Sequence, residues 1–147
     1  MANIVPYAFK GELMSGTHNF SAGGNTFFLA LYTANPYSAA SSTVYVTTNE
    51  VSSAGGSNYT AGGKQLQNQV VDSSTATTTV DFDNLTWGAA TTGAATFGAA
   101  FAAIYNSTNS NKLVVVLDFG GTKTATNGDF TIAFPSTSTP ANAILSL

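Results

Sequence analysis

An all-β fold, an antiparallel β-sandwich or jelly-roll-like barrel of about eight short strands with one short N-terminal helix, is predicted by three features. Short apolar or alternating runs recur along the chain, Gly- and Asn-rich turns separate them, and no alternating βαβ rhythm appears. No composition shift or repeat divides the chain, so residues 1–147 are expected to form a single β-rich domain.

The helix is predicted from Pro6 to about Ser15. Proline suits a first turn because its missing N–H would be unpaired there anyway. Phe9 and Leu13, four apart, give one face to dock on a sheet, with Pro6 and Tyr7 extending it and Lys10 and Glu12 left to solvent. Gly16 is placed to follow the helix C-terminus.

Strands follow. Phe27 to Tyr32 is a bulky run that reads as buried on both sides. Val44 to Thr48 alternates and is predicted as a second strand, Leu66 to Val71 as a third and Thr77 to Phe82 as a fourth. In the last, Val80 and Phe82 point one way, Asp81 and Asp83 the other. Leu85-Thr86-Trp87 is a short strand carrying the sole tryptophan. Gly88 to Ala103 is Ala/Gly-rich, with Gly88, Gly93 and Gly98 and several threonines opposing a helix, so a loop and then a strand from Phe97 to Tyr105 are predicted. A polar hairpin turn then leads to Lys112–Phe119, KLVVVLDF, the strongest β signal and the expected central strand. Gly120-Gly121 and Asn127-Gly128 punctuate the next connection. Phe130, Ile132 and Phe134 alternate, Pro135 and Pro140 interrupt, and Ala143 to Leu147 ends the series.

Between the second and third strands, Gly55-Gly56 and Gly62-Gly63 bracket Ser57 to Ala61. Glycine reaches positive φ at little steric cost, so each pair can turn the chain sharply and hold what lies between in a set direction.

Charged residues make up only 7% of the chain, against roughly 25% in ordinary soluble domains. Its surface must be dressed by hydroxyls and amides, and weak charge repulsion favours association. A net charge of −3, no arginine and four scattered lysines argue against a nucleic-acid partner. There is no cysteine for disulfides or thiolate chemistry. No run reaches the roughly 20 apolar residues of a membrane helix, and the first residues lack the basic and apolar regions of a signal peptide.

Candidate chemistry is sparse. His18 is the only imidazole, and a structural role is favoured over catalysis. Asp81 and Asp83 share a strand face, with Asp118 expected on a neighbouring strand; three carboxylates could hold calcium or work as acid and base, but solvent-facing carboxylates are the simpler reading. Gly62-Gly63-Lys64-Gln65 lacks P-loop spacing. Tyr7, Tyr37, Tyr45, Tyr59 and Trp87 could form a sugar platform, yet core aromatics are far commoner. No catalytic residue, cofactor, metal or small-molecule substrate is expected.

Read in order, several segments resemble one widespread family of small tailed-bacteriophage virion proteins. They begin with Phe9-Lys10-x-Glu12-Leu13-Met14-x-Gly16-Thr17-His18-Asn19-Phe20 and continue through Phe28-x-Ala30-Leu31-Tyr32-Thr33 and Thr47-Thr48-Asn49-Glu50-Val51-Ser52. The most specific is Tyr59-Thr60-Ala61-Gly62-Gly63-x-x-Leu66. Val80-Asp81-Phe82-x-x-Leu85-Thr86-Trp87, Ala103-Ile104-Tyr105-Asn106, and Leu117-Asp118-Phe119-Gly120 with Asn127-Gly128-x-Phe130-Thr131-Ile132 complete the series. Similar proteins carry bulkier and charged residues after the tryptophan; here that region is Ala/Gly-rich.

The resemblance implies a non-enzymatic virion structural protein made in the host bacterial cytoplasm. A capsid decoration (cement) protein on the outer capsid surface is favoured over a tail or fibre component or a host-glycan-binding module. Its partners would be the major capsid protein and copies of itself, a trimer favoured over a dimer, with head stabilisation as the result. A polar, charge-poor surface suits a wet interface, and an oligomer gains from avidity. Candidate contact residues are Ala2, Asn3, Ile4 and Val5, as a clamping arm, and Glu50, Tyr59, Thr60 and Gly62 of the glycine-bracketed loop, which the resemblance implies is rigid and projecting.

Overall fold

The computed structural model describes residues 3–91, 93–135 and 143–147. The chain is mostly β, with one short helix and antiparallel sheets. Among the described residues no sheet closes on itself.

Helix α1 spans Tyr7–Met14. Pro6 stands just outside it as the N-cap in the extended region, at φ −60° and ψ 146°. The C-terminus is closed by a Schellman pair: Thr17 N–H donates to Glu12 C=O at 2.8 Å and Gly16 N–H to Leu13 C=O at 3.2 Å. Gly16 sits at φ +77°, as its placement required. Phe9 is buried, and Leu13 packs against the same core. Tyr7, by contrast, is 63% exposed and does not extend the docking face.

The main sheet has the order β2-β1-β6-β7, from β1 Phe27–Tyr32, β2 Lys64–Gln65, β6 Ala95–Asn106 and β7 Lys112–Gly128. Strand β1 matches its expected bounds and buries both faces. β6 pairs along all of β1, from Phe27↔Asn106 to Tyr32↔Phe101. Its alanines let layers close in on either side: Ala102 joins one core cluster and Ala103 the other. The KLVVVLDF run lies in β7, at the end of the four-strand order, so β6 and not that run is flanked by long strands. β7 also continues past Gly120 (φ +71°) and Gly121 (φ +139°), which form a bulge opposite Ala99–Phe101 instead of ending the strand. Its outer edge is met at single bridges by Ile4 (to Val116) and Val44 (to Lys112).

Two smaller sheets complete the chain. β3 Val70–Asp72, β4 Thr79–Asp81 and β9 Leu145–Ser146 have the order β3-β4-β9, and β5 Leu85–Trp87 pairs with β8 Phe130–Ile132. Their inward residues Val80, Leu85, Trp87, Phe130 and Ile132, with Phe82 just past β4, share one cluster with Phe27, Leu29 and Leu31 of the main sheet. The opposite face of the main sheet is covered by the 33–50 connection through Tyr37, Tyr45 and Val46.

Two predicted strands differ. Leu66–Val71 is broken at Asn68, whose left-handed φ of +52° ends β2's run and redirects the chain from the main sheet to β3. Val44–Thr48 makes one bridge and no strand, because Tyr45 and Val46 turn onto the main sheet's outer face. Pro140 lies outside the described residues.

Candidate functional site

Glu50 is the centre of the glycine-bracketed segment. Residues 49–51 lie along the end of β1: Thr33 N–H donates to Asn49 C=O and Val51 N–H to Leu31 C=O, both at 2.9 Å. This aims the Glu50 side chain at the loop that follows. Glu50 Oε1 accepts the Tyr59 hydroxyl at 2.7 Å and the Gly62 N–H at 2.7 Å, while Oε2 accepts the Tyr45 hydroxyl at 2.6 Å. The Tyr59 oxygen in turn accepts Leu31 N–H at 3.0 Å. The Tyr105 hydroxyl donates to Gly62 C=O at 2.7 Å. Buried nearby, the Tyr32 and Tyr37 hydroxyls lie 2.6 Å apart, and Tyr32 donates to Val46 C=O.

Burial above all pushes the phenols up, with the Glu50 charge adding to it: Tyr105 to about 12, with Tyr32, Tyr37, Tyr45 and Tyr59 also raised. The arrangement is thus a carboxylate held by neutral phenols and a backbone N–H. It fixes the loop against β1. At Gly63 the backbone is so close that a Cβ would lie 1.8 Å from Leu29 C=O. The expected projection is not seen: the segment is docked along β1, held there by these contacts.

Of the residues expected to contact a partner there, Tyr59 is 3% exposed, Glu50 and Gly62 are half-buried, and Thr60 is exposed. In the N-terminal group, Ile4 exchanges two 2.8 Å backbone bonds with Val116, and Asn3 Oδ1 accepts Asp118 N–H at 2.9 Å. Val5 packs on the main core. Residues 3–5 are therefore tied to β7; Ala2 lies outside the described residues.

His18 heads a second polar network. Its Nδ1 accepts from Asn106 Nδ2 at 3.0 Å and its Nε2 donates to Glu12 at 3.0 Å. Asn106 is fully buried and also donates to Asn25 Oδ1 at 2.9 Å. Lys112 Nζ reaches the other Glu12 oxygen at 2.6 Å. Glu12 was expected to face solvent; instead it joins α1 to the β6–β7 hairpin. Burial acts to raise its carboxyl, and the Lys112 and His18 contacts outweigh that and hold it below its ordinary value. Sequence spacing gives no sign of this pairing, because Glu12 and Lys112 are far apart in the chain.

The other candidates are dispersed. Asp81 lies on β4, whose neighbours are β3 and β9, so Asp118 on β7 is not beside it. Among the described residues no group of three acidic or imidazole side chains could hold a metal. Asp118 accepts Gly120 N–H at 2.8 Å, which holds its carboxyl low. Lys64 donates to Thr86 C=O at 2.6 Å and lies over the Trp87 ring. Trp87 is fully buried, Tyr59 nearly so, and Tyr7 stands apart on α1, so these aromatics make no exposed platform. An apolar hollow of about 350 Å3 lies beside α1, lined by Phe9, Leu13, Phe20, Val71, Val80 and Leu145. His18 borders it with both ring nitrogens already engaged.

No family model, curated protein or solved structure matches this chain.

Proposed function

We propose that this chain is a non-enzymatic structural protein of a tailed-bacteriophage virion, a capsid decoration protein that binds the outer surface of the major capsid protein lattice and stabilises the head. The reading starts from the resemblance of the ordered sequence segments. One observation supports it: in the most specific segment Tyr59 and Gly62 both bond Glu50, Tyr59 accepts Leu31 N–H of β1, and Gly63 lies close against Leu29. Their chemistry is consumed in making a rigid body, which is what a cement protein supplies. We read the shared core between the main sheet and the two small ones as that of a β-sandwich. Self-association, a trimer before a dimer, fits a chain with 7% charged residues.

The test is to separate purified heads from tails, quantify the chain in each, and heat heads with and without it. Stoichiometric copies on heads, with earlier head rupture in their absence, are expected. A few copies confined to tails would replace this reading with a tail component, and saccharide binding by the isolated protein would replace it with a glycan-binding module.

A further inference from the structure

We propose that Asn127 is a site of spontaneous deamidation, an ageing modification built into the end of β7. Among the chain's asparagines only Asn127 precedes a glycine, Gly128. Several other asparagine side chains are tied down: Asn58 donates to Ala94 C=O, Asn68 to Asp83, Asn106 to Asn25, and Asn84 Oδ1 accepts Phe134 N–H. The Asn127 side chain is exposed and makes no hydrogen bond among the described residues, so its amide is free to turn toward the backbone that follows.

The backbone favours the same event. Asn127 sits at φ +49°, a left-handed conformation that asparagine tolerates better than most residues. Gly128 is the last residue of β7 and pairs with Ala95, the first of β6, so the attacking nitrogen lies at the end of the ladder, where opening is easiest. Glycine places no Cβ beside that nitrogen.

The step needs only water. The Gly128 backbone nitrogen gives up its proton and attacks Asn127 Cγ; the bond from Cγ to the side-chain nitrogen breaks, and ammonia leaves carrying that proton. The resulting five-membered succinimide is opened by water at either carbonyl, giving aspartate or isoaspartate. Water enters, ammonia departs, and nothing is oxidised or reduced.

Both products bear on the fold. Each adds a negative charge two residues from Asp129. Isoaspartate also inserts a backbone carbon between residues 127 and 128, just after the 3.0 Å bond from Asn127 N–H to Thr96 Oγ1. That displaces the start of β8, where the Phe130 ring packs 5.1 Å from Phe97. The inference is independent of the proposed function.

The test is to incubate the purified full chain in mildly alkaline buffer at physiological temperature and follow its peptides by mass. The peptide holding Asn127 should gain one mass unit ahead of every other asparagine peptide and split into aspartate and isoaspartate forms. Gly128→Ala should slow the gain while leaving the fold intact, since the new Cβ would meet only Thr126 C=O at 3.7 Å. Asn127→Gly, which keeps the left-handed turn, should abolish it. An Asn127 peptide of unchanged mass while others gain would overturn the proposal, as would a folded Gly128→Ala protein that ages as fast as the wild type. Should that variant not fold, the wild-type mass ranking decides alone.

Discussion

Glu50 and Tyr59 meet at 2.7 Å, carboxylate to phenol, and the same Glu50 oxygen takes the Gly62 N–H at the same distance. One side chain thereby reaches a backbone group twelve positions further along the chain and seats the loop on β1. Removing the carboxylate strands two hydroxyls and one backbone N–H. Glu50→Ala should therefore lower unfolding free energy by about 3 kcal/mol, and Tyr59→Phe by about 1–2 kcal/mol. Denaturant titration at constant slope measures both; a Glu50→Ala midpoint equal to wild type would remove Glu50 from its central place.

Gly62 and Gly63 differ although both have positive φ, +91° and +79°. A Cβ on Gly62 would meet only the Tyr105 hydroxyl at 3.4 Å, whereas one on Gly63 would overlap the β1 backbone at Leu29. Gly62→Ala should fold with a loss of about 1–2 kcal/mol from backbone strain. Gly63→Ala should fail to give soluble folded protein. Expression, solubility and circular dichroism of the pair test the contrast, and equal behaviour would refute it.

The strands legible in sequence were those whose partners need not be known. Phe27–Tyr32 and Leu85–Trp87 are bounded by turn residues and buried by bulk, and they form at their expected bounds. Val44–Val46 carries the same β-prone residues, but its hydroxyl and apolar groups find Glu50 and the main sheet's outer face, and packing overrides pattern. Sheet order was hidden for a similar reason: KLVVVLDF is the strongest β signal, yet alanine-rich β6 lies between the two long strands because small side chains admit layers on both faces. At the candidate site, the sequence marked Glu50, Tyr59 and Gly62 without revealing that they bond to one another. The Glu12–Lys112 and His18–Asn106 contacts are products of folding, with no local signature.

Acid should loosen α1. The Glu12 carboxyl lies lower in the folded chain than its ordinary value of 4.5, so the stability it contributes is present above that pH and lost as pH falls through the folded value. Lys112→Met removes the hydrogen bond and charge that hold it low. The variant should lose less stability than wild type as pH falls from neutral to about 3, which denaturant midpoints across that range would show. Parallel pH curves would count against the Glu12–Lys112 link.

Alkali should act through the tyrosines. A phenol raised by folding contributes stability below its ordinary value of 10.0, and that contribution fades as pH climbs toward the folded value, about 12 for Tyr105. Tyrosinate absorbance should therefore rise late and together with loss of near-ultraviolet circular dichroism. Early ionisation of most tyrosines with the fold intact would contradict the buried cluster.

Electron cryomicroscopy of intact virions carrying this chain tests the cement reading most directly. Ordered density over the joints of the outer capsid surface, fitted by small symmetric clusters of this fold, is the expected result. Bare capsids with the chain placed on the tail, or absent from the particle altogether, would contradict it.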